Sequence, residues 1–481
     1  MTIQASSLQD SSSDTKAHAL HGNLGVGAIV FMVLAAAAPL TVIGGNVPLA
    51  VGLGNGAGAP IGFVIAAAVL LLFSIGFVAM TPHVREAGAF FAYVTEGLGE
   101  RLGMGIAAVA LVAYTAIQVG IYGYFGWAVD DTMRFYGGPR IPWPVYSFAA
   151  LALVAYLGYR HIELSAKVLG VALVLEVSIV VVMDIVIFIT GGHDGLNATS
   201  FAPEVIASGS LGVAVLFALT GFIGFEATAV FRDEARDPAV TIPRATYLAV
   251  LIIGGFYALS TWALVLGAGV GNIKALAEAT LAGNANLLLD QTLRFLGPIG
   301  RDAVNVLLLS SLFACVLSFH NVIARYQHVL ARKGLLPARL GDVHAKHRSP
   351  SISSLVQTMT AIGIVVVFTI LGLDPLVGVF GSMAGVATMG MIILMLTTSI
   401  AVLAFFARRP DLAAGRAWST RIAPGLAVIG LVASLWLVAS NFTLITGGSV
   451  GVSTALALIP VAAFIIGIVR GQKPLGSSGV T

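Results

Sequence analysis

The run Leu216-Phe-Ala-Leu-Thr-Gly-Phe-Ile-Gly-Phe-Glu226 is apolar, interrupted by Gly221 and Gly224, and closed by a carboxylate. An ionisable side chain at bilayer depth costs about 3 kcal/mol or more, so it faces a cavity, a partner or an ion path. Few polar residues share such surroundings: Glu176, Asp184 and His320, with uncharged Gln118, Asn305 and Asn321. Glu176 reads either as a neutral, hydrogen-bonded carboxylic acid or as a group with one of two chemistries. A desolvated carboxyl takes up and releases a proton, or it binds a cation together with oxygens from the first and eighth apolar runs. Glu226 can relay a proton or gate a path, or it can hold a kink by accepting hydrogen bonds from unwound amides. His320 and Asn321 read as a polar pair, with proton transfer as the alternative. Tyr114 and Gln118 lie four residues apart on one helix face, which Tyr122 continues.

The elements that position these groups are apolar helices. The chain has 481 residues, 58% hydrophobic and 10% charged, with a mean hydropathy of +0.97. A soluble domain carries roughly 25% charge. Windows long enough to span a bilayer fall at about 26–52, 59–80, 103–129, 143–159, 163–190, 208–231, 243–270, 301–331, 351–372, 375–407, 421–441 and 449–469. An all-α polytopic membrane protein of about twelve spans follows. The first window has its own interruption, Ala38-Pro39-Leu-Thr-Val-Ile-Gly44-Gly45-Asn46-Val-Pro48; prolines remove amides and glycines lower helix propensity. Disrupted helices one and six stand five spans apart, as two inverted five-helix halves with a midplane site would have them. Half-helix N-termini attract carboxylates and unwound carbonyls attract ammonium groups or cations. An amino acid zwitterion satisfies both. The expected ligand contacts are Thr41, Val42, Ile43, Gly44 and Gly45 on the first span and Thr220, Gly221, Phe222, Ile223 and Gly224 on the sixth. Glu176 and Glu226 are the expected proton-coupling residues.

Basic residues set the orientation, because cytoplasmic loops hold the Lys and Arg excess. With the N-terminus inside, 20 of the 25 fall on the cytoplasmic side, leaving Arg134, Arg140, Lys274, Arg294 and Arg301 outside. Both termini are then cytoplasmic. The net charge of +3 reports topology and gives no reason to expect nucleic acid. Residues 1–22 read as a disordered cytoplasmic tail without a signal peptide, 23–470 as one transport domain and 471–481 as a C-terminal tail. Residues 271–300 read as short outer amphipathic helices and 334–350 as a basic cytoplasmic loop. A single cysteine, Cys315, excludes an intrachain disulfide. The chain has no phosphate-binding G-x-x-x-x-G-K-[ST] loop, no HExxH or GxSxG motif and no metal-spaced His/Cys cluster. These absences disfavour an ATP-driven pump, an enzyme, a bound metal and a cofactor.

Three blocks carry a resemblance. Phe222-Ile-Gly-Phe-Glu226-Ala with Asp233-Glu-Ala-Arg-Asp-Pro238 and Thr241-Ile-Pro-Arg244 resembles the sixth helix and following loop of the amino acid-polyamine-organocation (APC) superfamily. Arg85-Glu-Ala-Gly88-Ala-Phe-Phe-Ala-Tyr93 with Leu98-Gly99 is similar to its first intracellular loop, and Arg325 with Ala331-Arg-Lys-Gly334-Leu-Leu-Pro337 to its end of helix eight. The first helix departs from the pattern, with Pro39-Leu-Thr-Val-Ile-Gly44-Gly45 where many members carry a Gly-Ser-Gly-type stretch. The resemblance implies a LeuT-like fold of ten core helices and two peripheral ones. It also implies that Tyr114 and Gln118 match substrate-contacting positions, with Phe319 expected beside them, and that Glu176 stands where proton-linked relatives place a lysine; the alternative for the pair is that Gln118 hydrogen-bonds between helices and the tyrosines pack. The function expected is a secondary active transporter of a small amino acid or amine in the cytoplasmic membrane, proton-linked by symport or exchange. Sodium is the alternative coupling ion, an uncoupled facilitator the alternative function.

Overall fold

The computed structural model describes residues 24–84, 90–159, 166–230, 234–342, 350–446 and 449–471. The expected N-terminal tail, residues 472–481 of the C-terminal tail, Arg85 to Ala89 of the loop block and Asp233 of the block after the sixth helix lie outside these.

The regular elements among the described residues are all helices. Ten helices are long and apolar enough to cross a membrane, and two shorter apolar helices complete the series. In chain order the spans are Val26–Gly58, Pro60–His83, Glu100–Phe135, Trp143–Tyr159, Ala166–Thr190, an interrupted sixth beginning Leu211–Thr220, Pro238–Ala268, Leu287–Arg332, Ser351–Ile370, Pro375–Arg408, Trp418–Ser440 and Val450–Arg470. The third span has 36 residues, about 54 Å of helix, and therefore projects beyond a hydrocarbon core of about 30 Å. It packs against the fourth, eighth, tenth and twelfth spans, placing Tyr114, Gln118 and Tyr124 at the centre of the molecule.

Close packing replaces the hydrophobic effect as the main adhesive between helices in lipid. A Cβ at Gly97 would lie 2.7 Å from Ala401 Cβ, and one at Gly390 would lie 2.9 Å from Ala113 Cβ. Glycine at these positions lets the helix backbones approach. Large apolar side chains of the fifth, ninth, eleventh and twelfth spans, among them Val168, Val171, Ile370, Trp436 and Ile466, stay exposed and form a hydrocarbon-facing surface. The expected outer amphipathic segment opens with helix Ile273–Leu281, and Phe90–Leu98 is a second short helix, leading into the third span. A third, at the start of the eighth span, is set off by a kink at Gly297 (φ 73°) followed by Pro298. Asn286 fastens it to the third span by donating to Asp131 Oδ2 at 2.8 Å.

The first span is broken earlier than its paired glycines suggest. Helix Val26–Ala36 ends at Ala37, Ala38 turns left-handed (φ 46°), and the chain restarts at Pro39. Proline explains the position, since it disfavours the helical conformation in the residue before it and suits the first helical position after it. Thr41 to Gly45 then continue in helical turns, with a π-helical stretch over Val42–Asn46. The unwound backbone of the first span is thus Ala37–Ala38, and the glycine pair lies in wound helix one turn beyond.

Candidate substrate and coupling site

The sixth span stops at Thr220 and resumes at Ala227–Val230. Gly224 has φ 110°, a conformation that side chains rarely adopt. Its backbone N–H donates to Glu226 Oε2 at 2.9 Å. Tyr114 of the third span donates to Glu226 Oε1 at 2.7 Å. Both carboxylate oxygens are engaged and the residue is only 3% exposed, so Glu226 at once holds the kink and links it to the third span. Thr220 Oγ1 donates to Leu216 O at 2.9 Å and lies 2.5 Å from Thr388 Oγ1 of the tenth span.

At the first break, Tyr257 of the seventh span donates to the carbonyl of Ala37 at 3.1 Å. The helix restarting at Pro39 leaves its first amides without intrahelical partners. Glu176 of the fifth span meets that end: its carboxylate interacts with the Leu40 backbone N–H and accepts 3.0 Å from Ser311 Oγ of the eighth span. A negative group at a helix N-terminus is favoured by the orphan amides and the helix dipole. Tyr257 and Cys315 lie within electrostatic reach of the same carboxylate. Glu176 is 4% exposed and makes no ion pair among the described residues.

The two breaks face each other. A Cβ at Gly221 would lie 2.9 Å from Val42 Cγ1, and one at Gly224 would lie 3.3 Å from Ala36 Cβ. Phe222 packs edge-on to Tyr257, with ring centroids 6.2 Å apart. Thr41, Val42, Ile43, Gly44, Gly45, Thr220, Gly221, Phe222 and Ile223 are all buried around this junction. Thr41 Oγ1 and Tyr124 OH are among the buried hydroxyls that lack a partner. Tyr124 covers the glycine pair: a Cβ at Gly44 would come within 2.5 Å of its hydroxyl, and one at Gly45 within 2.7 Å of its ring and 3.0 Å of Phe380. Tyr124 is absent from the sequence-based set, although it follows Tyr114 and Tyr122 on the same span; the face periodicity that selects those two passes over it.

Two other expected contacts stand apart. Tyr114 is turned to Glu226 and neighbours Phe319 (6.3 Å between centroids) and Tyr326 (6.2 Å). Gln118 is 0% exposed, with its amide committed at both ends. Its nitrogen donates to Val316 O at 3.3 Å and its oxygen accepts from Gln357 at 2.7 Å; Gln327 in turn donates to Gln357 at 3.1 Å. This amide chain ties the third, eighth and ninth spans, and His320 adds a contact to Ser354 of the ninth at 2.8 Å.

Residues 24–469 match the family described as amino acid permease. The chain belongs to that family. Among curated proteins, this permease is 23% identical to the branched-chain amino acid permease BcaP of Bacillus subtilis over 78% of its own length and 79% of that protein's. It is 23% identical to the serine/threonine exchanger SteT of the same organism, over 58% of its length and 62% of that protein's. An uncharacterized transporter of Mycobacterium tuberculosis is 27% identical over 63% of this chain and 64% of its own. The relatives are transport proteins and not enzymes, and the permease is a multi-pass membrane protein.

Proposed function

We propose that the permease moves a small neutral amino acid across the cytoplasmic membrane by alternating access, with proton-linked symport or exchange through Glu176. The observation that carries this reading is the juxtaposition of the two broken spans under a carboxylate seated at the restart of the first. Val42, Ile43 and Phe222 form an apolar wall for a side chain. Thr41 Oγ1 and Tyr124 OH are unpartnered hydroxyls for its polar groups. No cationic side chain lies among the proposed ligand contacts, and the curated relatives with named substrates handle branched-chain amino acids or serine and threonine.

In this reading Thr41 to Gly45 and Thr220 to Gly224 bound the ligand. Tyr114, Glu226 and Phe319 form the connection below it, and Gln118 acts by pinning the third span to the ninth. Glu176 binds a proton in one phase of the cycle and meets the Leu40 amide as an anion in another. A sodium ion held by Glu176 and Ser311 Oγ is the competing assignment. Residues 23–470 form the transport domain, with both tails and the 334–350 loop in the cytoplasm and 271–300 outside, as the basic-residue distribution favours.

The test is uptake of an amino acid panel into proteoliposomes under an inward proton gradient, for the wild type and Glu176→Gln. The wild type accumulates a neutral amino acid, and Glu176→Gln retains exchange while losing accumulation. Uncoupled, non-saturating flux in the wild type overturns the transporter reading; accumulation driven by sodium at constant pH overturns the proton.

A further inference from the structure

A second carboxylate lies inside the fifth span, eight residues beyond Glu176, or about 12 Å along the helix. Asp184 is 7% exposed. Its Oδ2 accepts from Ser260 Oγ of the seventh span at 2.5 Å, and its Oδ1 is buried without a partner. It makes no ion pair among the described residues. The first, seventh and eighth spans pack against the fifth. The first contains no charged residue, and the hydrogen bond that reaches the carboxyl from the seventh is that of Ser260. An anion with one bare oxygen in such surroundings is far more expensive than a neutral acid.

The surrounding groups give the site a direction. Tyr257, which lies within reach of Glu176, precedes Ser260 by three residues and shares its helix face. The two carboxyls therefore flank one polar strip of the seventh span. Toward its end the strip meets an exposed titratable pair, His193 Nδ1 at 2.5 Å from Asp194 Oδ1. The His193 N–H donates to Leu266 O at 2.8 Å, and Arg294 donates to Gly267 O at 2.9 Å.

We propose that Asp184, held by Ser260, is a second proton-binding carboxyl of the transport cycle, placed between Glu176 and the His193–Asp194 end of the fifth and seventh spans. The proposal rests on the reading of Glu176 as a proton carrier. In each transfer one carboxyl O–H bond breaks, one forms on the other carboxylate, and the negative charge moves the opposite way. No oxidant or other reactant is required.

Infrared difference spectroscopy on the purified permease in lipid, titrated with acid, reads the proton directly. The wild type shows a carboxylic acid carbonyl band that shifts in D2O and is lost in Asp184→Asn. Ser260→Ala, which removes only the hydrogen bond, displaces that band without deleting it. In proteoliposomes Asp184→Asn loses proton-driven accumulation, retains exchange, and regains accumulation as Asp184→Glu. Persistence of every acid band in Asp184→Asn, or transport by that variant with the wild-type pH profile, overturns the proposal. The band is read without transport. Accumulation retained by Glu176→Gln therefore removes the role of Glu176 alone, while the band still decides that of Asp184.

Discussion

Removing a single oxygen from Tyr124 separates a packing role from a ligand-binding one. The hydroxyl is buried and unpartnered, and leaving such a group unsatisfied costs about 1–3 kcal/mol. Tyr124→Phe should therefore raise the thermal midpoint of the ligand-free permease. Gly44→Ala acts oppositely: its new Cβ would sit 2.5 Å from that hydroxyl, with Leu288 Cδ2 at 3.2 Å and Leu308 Cδ1 at 3.5 Å. Real Cβ contacts are not that short, and overpacking of this kind costs about 1–3 kcal/mol. The hydroxyl is the nearest atom and Leu288 has a flexible end, so most of the strain should vanish in the double variant. A coupling of about 1–2 kcal/mol between the two substitutions is expected, within the range for residues in contact.

Ligand affinity should move the other way. If Tyr124 OH gains a partner only when substrate arrives, its net bond is worth about 0.5–1.5 kcal/mol, or roughly a two- to tenfold weaker Kd in Tyr124→Phe. Thermal unfolding in detergent, with and without the amino acid that best stabilises the wild type, measures both quantities on one sample. A Tyr124→Phe protein with unchanged midpoint and unchanged affinity would show that the hydroxyl is already satisfied. Additive losses in the double variant would show that Gly44 is not glycine on account of Tyr124. Either result removes Tyr124 from the site.

Other expectations concern separate parts of the molecule. Gly224→Ala forces a side chain onto φ 110° and should lower stability by about 1–3 kcal/mol with loss of uptake, whereas Gly363→Ala, inside a helix with open space around it, should be neutral or slightly stabilising; equal losses from the two in a melting assay contradict the strain argument. Gln118→Ala leaves Gln357 and Val316 without their partner, so a loss of about 1–3 kcal/mol is expected with the substrate ranking unchanged; a reordered ranking in competition uptake would return Gln118 to the ligand. For orientation, on a Cys315→Ser background a membrane-impermeant thiol reagent applied to right-side-out vesicles should modify cysteine placed at Asn284 and spare one at Asp342. The opposite labelling pattern inverts the topology.

The twelve spans were legible because hydrocarbon thickness imposes a length and an apolar content that the chain displays openly. Trp143–Tyr159 and Ser351–Ile370 fall within two residues of their windows. Ends drifted where a helix continues into water, as in the third span running to Phe135. There, backbone hydrogen bonding rather than hydropathy sets the terminus. The interruption read over Ala38 to Pro48 contains the break but runs past it to Gly44 and Gly45, for a different reason. Glycine in a membrane helix marks either unwinding or close approach of a neighbour, and only Tyr124 and Phe380, brought from distant spans, decide for the second. The proline rule is local but marks two residues, Ala38 before Pro39 and Val47 before Pro48, and of these only Ala38 leaves the helical conformation.

Polar residues at depth were equally visible as expensive groups, and their roles were not, because a role at depth is a choice of partner. Gln118 and Tyr114 share a helix face by spacing, yet one is bound to Gln357 and the other to Glu226. Neither partner is within a hundred residues of sequence, so periodicity on the third span alone cannot separate an interhelical brace from a kink-holding contact. Glu176 shows the same dependence in its strongest form. As a carboxylate in an apolar run it reads as a cost; opposite Ser311 and at the restart of the first helix it acquires a neighbour whose orphan amides favour its charged form. In the proposed cycle, movement of the first span's halves would add or remove that neighbour, and a conformational change would thereby be coupled to the binding of a proton at one side chain.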